Sequence, residues 1–403
     1  MTNLNKKITR IFKMKNLFTK NYWAMKGLAL LVLVVMGLRG DVMGQNSNAT
    51  WGNNASTAWY TVGNWSPNTA YPGVQGAATS NTNIATWSSN GTGNPFGINM
   101  GTASLNLGAI SIENTRTTAV NITNSSGTAG VLRLYGATIN SVANTIVRNN
   151  GSGLLTLQTA NTMGLVLSNG TENIIQIDNT GGITVASIIS GSNNLTKAGS
   201  GTGVLTLSGV NTYSGNTTIS AGTLALSGSG SIANSPNIII GSGGTFNVST
   251  LTTPLTLVST QTLKSSSIGS NTTATITVAS SKNLTLSSGG LTFTAYGGGA
   301  TSPLTVTGAS AGALALNSAP ITVTTSTALA VGTYKLIAKS GSATGVSGTI
   351  GTLTINGSGL AANTTGALSI SSGELILTVS SSTSPQQLPT PHLQQILHQH
   401  LQP

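Results

Sequence analysis

Gly203–Gly228 reads GVLTLSGVNTYSGNTTISAGTLALSG. Two Leu-x-Leu-Ser-Gly doublets bracket a polar stretch that has no charge, no His and no Cys. Apolar residues at i and i+2 with a small polar residue between them mark a strand with one buried and one exposed face. The same doublet recurs along the chain, at Leu105/Leu107, Ile110/Ile112, Val120/Ile122, Leu155/Leu157, Ile175/Ile177 and Ile183/Val185. It continues through Leu205/Leu207, Leu224/Leu226, Phe246/Val248, Ile276/Val278, Leu304/Val306 and Ile321/Val323 as far as Leu375/Leu377. Gly, Ser and Asn separate the doublets. After residue 44 no stretch carries a 3.6-residue period with charged outer positions, which predicts an all-β chain.

Two architectures produce short strands at such spacing: an antiparallel sandwich or barrel, and a β-solenoid. The near-uniform Leu, Ile and Val at inner positions favour the solenoid, because stacked coils place equivalent residues one above another. Aromatic residues are only 4% of the chain, and the pattern runs on far beyond one sandwich. Asn-Gly at 90–91, 150–151, 169–170 and 356–357 is the counter-signal, since it favours hairpins.

Around the opening stretch the fixed positions are dense. They are Leu195-Thr196-Lys197, Gly199, Gly201-Thr202-Gly203-Val204-Leu205-Thr206-Leu207-Ser208-Gly209, Asn211-Thr212-Tyr213-Ser214-Gly215, Thr217-Thr218-Ile219 and Ala221-Gly222-Thr223-Leu224. This segment resembles the autotransporter-associated β-strand repeat of passenger proteins. The resemblance implies a right-handed parallel β-helix with a secreted or cell-surface location, at the outer membrane of a Gram-negative bacterium. One full repeat is covered, over 195–228, with weaker echoes at 151–157, 289–295 and 312–316. Residues 331–380 are similar to the end region of such proteins in Bacteroidetes-type bacteria. With no membrane-barrel sequence in the chain, the expectation is a passenger rather than a complete self-exporting autotransporter.

The expected organisation has four parts. Residues 1–44 read as a signal peptide: a Lys-rich start, the apolar run Gly27–Leu38 and a small-residue step before Gln45. Twelve apolar residues make only about 18 Å of helix, short of a bilayer core of about 30 Å. Met14 and Met25 are alternative starts for this long leader. Residues 45–102 form a cap rich in Asn and Trp, with Trp51, Trp59, Trp65 and Trp87 beside Tyr60, Tyr71 and Phe96. Residues 103–380 form the solenoid, with an expected length of about 55–65 Å at about 4.8 Å per coil. Residues 381–403 form a tail outside the fold, where the composition changes abruptly to Gln, Pro and His. Two origins are open for this tail: a disordered Gln/Pro-rich terminus, or a shifted reading frame over a Ser/Thr/Pro linker.

Charge and composition exclude several functions. The net charge of +11 suggests nucleic acid, yet eight of the sixteen Lys and Arg fall within the first 40 residues. The rest are scattered singly, and nucleic-acid binding needs clustered phosphate contacts. The absence of Cys rules out a disulfide-stapled domain. Beyond Asp41 the carboxylates are Glu113, Glu172, Asp178 and Glu374, and the histidines are His392, His398 and His400, all in the tail. Glu172 and Asp178 are the one pair close enough in sequence to suggest a paired-carboxylate glycosidase site; two surface charges are the simpler alternative. His398 and His400 bracket one residue, a weak metal signal without Cys or carboxylate neighbours. The Trp cluster is the best binding candidate, because aromatic faces stack on sugar rings; sealing the first coil is the alternative role.

The expectation is therefore a non-enzymatic stalk, adhesin or matrix component with no catalytic, cofactor or metal residues. Its partners would be host or matrix glycans or proteins, or neighbouring surface modules. A membrane would be reached only through an anchor or sorting segment beyond this chain. A glycan-binding module built on 45–100 is the alternative, and a β-helical polysaccharide-degrading enzyme is the third reading.

Overall fold

The computed structural model describes residues 49–51, 65–66, 72–75, 83–88, 96–99, 104–123, 130–157, 164–170, 172–266 and 273–382. The expected signal peptide, most of the Trp-rich region and the tail from 383 lie outside them. Among the described residues there is no helix. The chain winds as a parallel β-solenoid, in which each coil lays one strand on each of up to three faces.

Face one carries Ile84–Trp87, Ala109–Ile112, Val142–Asn149, Glu172–Ile177, Asn194–Ala198 and Thr217–Ile219, and runs on to Leu353–Gly357. Face two carries Phe96–Asn99, Val120–Thr123, Leu155–Leu157, Ile183–Val185, Val204–Leu207 and Gly222–Gly228, and runs on to Gly332–Gly341. The doublets stack in register. Ile183 pairs with Leu205 and Leu205 with Leu224, while Val185 pairs with Leu207 and Leu207 with Leu226. All six are fully buried. Thr184 and Thr206, between them, face outward. Local alternation and coil-to-coil stacking thus agree, which is why the pattern was readable from the sequence.

Face three is discontinuous. It has strands at Leu105–Leu107, Val131–Leu134, Gly164–Leu167 and Ile188–Ser190, and again from Leu255–Thr256 to Gly345–Ser347. Between them, in the coils of 195–250, a single bridge from Val210 to Ser231 remains. Coil length follows. Stacked face-one partners are 22 residues apart at Leu195/Thr217 and 21 at Thr217/Ile238, but 30 at Leu291/Ile321 and 32 at Ile321/Leu353.

The NTYSG segment replaces the missing strand. The Asn211 side chain accepts from the Ile189 N–H of the coil before (2.9 Å) and donates to the Ser231 carbonyl of the coil after (2.9 Å). Tyr213 fills the space inside and its hydroxyl meets Thr217 Oγ1 at 2.6 Å; Thr217 in turn donates to Ser235 Oγ at 2.8 Å. Burial raises the Tyr213 phenol well above its ordinary pKa. Gly199 completes the repeat's corner: its φ is +87°, and a Cβ there would lie 2.2 Å from the Ile177 carbonyl oxygen.

Asparagine clips of this kind explain the Asn-rich composition. Asn149 Nδ2 donates to the Gly153 and Gly182 carbonyls, and Asn194 Oδ1 accepts from the Asn216 N–H. Asn237 Nδ2 donates to Asn216 Oδ1 at 2.7 Å.

The structure departs from expectation in three respects. Parallel pairing reaches back before residue 103, since Ile84–Trp87 pairs with Ala109–Ile112 and Phe96–Asn99 with Val120–Thr123. The parallel ladder does not run to 380: Thr364–Ser371 and Glu374–Ser381 form an antiparallel pair that adds to the end of face two. The rod is also shorter than expected. Ten face-one strands from Ala109 to Gly357 give about 43 Å at about 4.8 Å per step, because the later coils are longer than the assumed 20–25 residues. Of the Asn-Gly pairs in the described residues, 150–151 and 169–170 sit at coil corners and 356–357 closes a strand, so none makes a hairpin.

Candidate functional site

Two of the described carboxylates, Glu113 and Asp178, meet a shared arginine where face one turns toward face two. Three successive coils contribute. Arg148 ends up outward on face one because Val147 stacks between Ile110 and Ile175 in the interior. Its register partners are Ser111 and Gln176. Glu113 follows Ile112 and Asp178 follows Ile177 in the coils on either side. Arg148 Nε donates to Asp178 Oδ2 at 2.8 Å and Nη1 to Glu113 Oε2 at 3.4 Å. The Ser111 hydroxyl donates to Glu113 Oε1 at 2.7 Å, and Gln176 Nε2 donates to Asp178 Oδ1 at 2.9 Å. The Arg148 side chain is 4% exposed.

Two further cations line this corner. Arg116 curls inward, with Nε on the Thr118 carbonyl at 3.1 Å, and burial lowers its pKa. Lys197 occupies an interior position, stacked between Ile175 and Ile219 in an otherwise apolar rank. It is fully buried. Its Nζ donates to the carbonyls of Ala198 (2.7 Å), Ala221 (3.2 Å) and Gly199 (3.5 Å). Desolvation lowers its pKa to about 8, partly offset by the negative charge of Asp178. The Lys197 carbonyl also accepts from the Ser220 hydroxyl.

This arrangement clamps three successive coils together. A single guanidinium holds both carboxylates across coils 35 and 30 residues apart in sequence, and both keep a partly exposed edge.

The sequence-derived candidates fall elsewhere or apart. Glu172 and Asp178 stand at opposite ends of the strand Glu172–Ile177. Six residues of extended chain separate them by about 20 Å, beyond the roughly 5–10 Å between glycosidase carboxylates. Glu172 Oε1 is buried without a hydrogen-bond partner. Glu374 pairs with Lys335 at 2.8 Å on the terminal strands. Trp87 is 1% exposed, packed in the core opposite Ile112, and so offers no face to a sugar. Trp51 and Trp65 oppose each other in an antiparallel pair at the start of face one. Trp59, Tyr60, Tyr71 and the three tail histidines lie outside the described residues. Among the described residues no three His, Cys, Asp or Glu gather at metal-binding distance.

The sequence reading missed the Glu113–Arg148–Asp178 clamp. A signal was present: each charge directly follows a buried aliphatic of a face-one strand, at Ile112, Val147 and Ile177.

Residues 195–226 match the family described as Passenger-associated-transport-repeat. The match covers the coils in which face three is missing and in which Lys197, Asn211 and Tyr213 have their structural roles. No curated protein and no solved structure matches the chain.

Proposed function

We propose that the chain is the rod of a passenger-type surface protein, acting without catalysis as a stalk, adhesin or matrix component. It starts from a passenger-associated transport repeat set within a continuous parallel solenoid. The single observation that carries the reading is the in-register stacking of that repeat with its neighbours on both sides. A solenoid of this kind extends with every added coil, so it sets distance and presents a surface. The charged corner fits the same role. It ties three coils together through one arginine.

Protease shaving of intact cells tests the location. An antibody against 195–226 should lose its signal when external protease is added, and the outer-membrane or medium fraction should hold the protein. Retention in the cytosol of intact cells would refute the proposal. Polysaccharide turnover by the purified chain, abolished by Glu172→Gln or Asp178→Asn, would replace the rod with the enzyme reading.

A further inference from the structure

Face two carries a feature that neither the repeat nor the clamp uses. Its outward positions form two parallel ranks. In the first, Thr223, Thr245, Thr275 and Thr305 stand on four successive coils. In the second, Thr156, Thr184 and Thr206 stand on three successive coils, and Thr277 and Thr307 on two more. Ala225 and Asn247 fill the places between Thr206 and Thr277. Within a rank the spacing is the coil rise, about 4.8 Å; between ranks it is two residues of strand, about 6.6 Å.

Three properties characterise this surface. The strands from Val120–Thr123 to Leu304–Gly308 contain no charged residue, and their one aromatic, Phe246, points inward. The hydroxyls of Thr184, Thr206, Thr245, Thr275, Thr277 and Thr307 make no hydrogen bond to the protein. Other outward hydroxyls are tied to neighbouring groups, as Thr250 at the end of a face-two strand is to the Leu226 carbonyl, Thr262 on face one to the Gly289 carbonyl and Thr305 to the Thr273 hydroxyl. Threonine is also stiff at χ1, so each position holds a methyl and a hydroxyl in a fixed orientation.

We infer that face two is a docking surface for an ordered water lattice, that is, an ice face. A periodic array of rigid hydroxyl and methyl groups orders first-shell water at its own spacing. The oxygen rows of ice repeat on this scale in two dimensions. The absence of charge disfavours a polyanion, and the absence of outward aromatic rings disfavours stacking on a crystalline polysaccharide. The inference goes beyond the rod reading, and either can fail without the other.

The test uses the full chain, fluorescently labelled, in slowly grown ice. Wild type should enter the ice and slow its recrystallisation. Thr275→Lys/Thr305→Lys, on face two, should be excluded. Thr292→Lys/Thr322→Lys, the equivalent outward change on face one, should still enter. Thermal melts accompany each variant, and Thr245→Lys is a second face-two change should the double variant not fold. Exclusion of wild type from ice overturns the inference, as does entry of a folded face-two variant. Wild type that is excluded from ice but binds crystalline cellulose or chitin, with that binding lost in the face-two variants, replaces ice with a polysaccharide lattice.

Discussion

Lys197→Met separates the cost of an interior ammonium from the value of its contacts. Lys197 sits between Ile175 and Ile219, with its Nζ held by three carbonyls. Its pKa falls from 10.5 to about 8. In the unfolded chain the amine keeps its ordinary value. Below pH 8 both states are protonated, and the native state bears the full cost of a desolvated cation. Between pH 8 and 10.5 the unfolded chain binds more protons than the native one, so stability rises with pH. A drop of this size amounts to about 3 kcal/mol in all. Roughly 1 kcal/mol of that relief should be gained by pH 9 and roughly 2–3 by pH 10. Above pH 10 the buried phenols oppose it. Tyr213 and Tyr296 both have raised values, that of Tyr296 about 12, and the unfolded chain loses those protons first. Urea denaturation at pH 7.5, 9 and 10 reads the effect. Wild type should gain stability across this window, and Lys197→Met should stay flat. Parallel profiles for the two proteins would show that the ammonium is solvated in the native state and that its interior seat is wrong.

Other changes probe the remaining devices. Leu205→Asp should lower the melting temperature far more than Thr206→Asp, since only the first places a carboxylate in the core; equal losses would mean the register is wrong. Asn211→Leu removes contacts to the coils before and after, and should cost about 2–3 kcal/mol in chemical denaturation. Arg148→Ala should cost about 2 kcal/mol by leaving two carboxylates facing each other, and Asp178→Asn in the same chain should recover part of it. Gly222→Ala meets a φ of +67° and places a Cβ 2.8 Å from Lys197 Nζ. It should destabilise by at least about 1 kcal/mol, with a smaller loss when Lys197 is Met.

The faces were legible because each strand obeys one local rule. Leu205 and Leu207 are buried by the same alternation that marks them in the sequence. The corners were not, because they depend on how many residues each coil uses. Arg148 meets Glu113 and Asp178 only after an inserted hairpin, Ala137–Ile139 with Val142–Asn149, has been absorbed. That hairpin turns at Asn140-Ser141, with φ of 48° and 66°. This two-residue turn with both φ positive lacks the Asn-Gly signature that sequence reading relies on. Lys197 was hidden differently. Hydropathy places a lysine outside, whereas here the rank places it inside and the corner carbonyls complete its hydrogen bonds. The candidate pair Glu172 and Asp178 failed on simple distance, since a strand separates what a helix would have brought onto one side.

The coil-to-coil pairing also governs how the chain finds its fold. Almost every long-range contact joins residues one coil apart, 21 to 32 positions along the chain over most of the solenoid. Relative to 403 residues that is a contact order of about 0.05–0.08, at or below the range of helical bundles and well below that of β proteins. Loop closure is therefore short at every step, and no coil waits for a distant part of the chain. Folding can spread by addition at a growing end, one coil at a time. A chain that emerges from a pore end first can thus complete each coil as soon as the following stretch of about 20–30 residues is out, and each completed coil offers the template for the next.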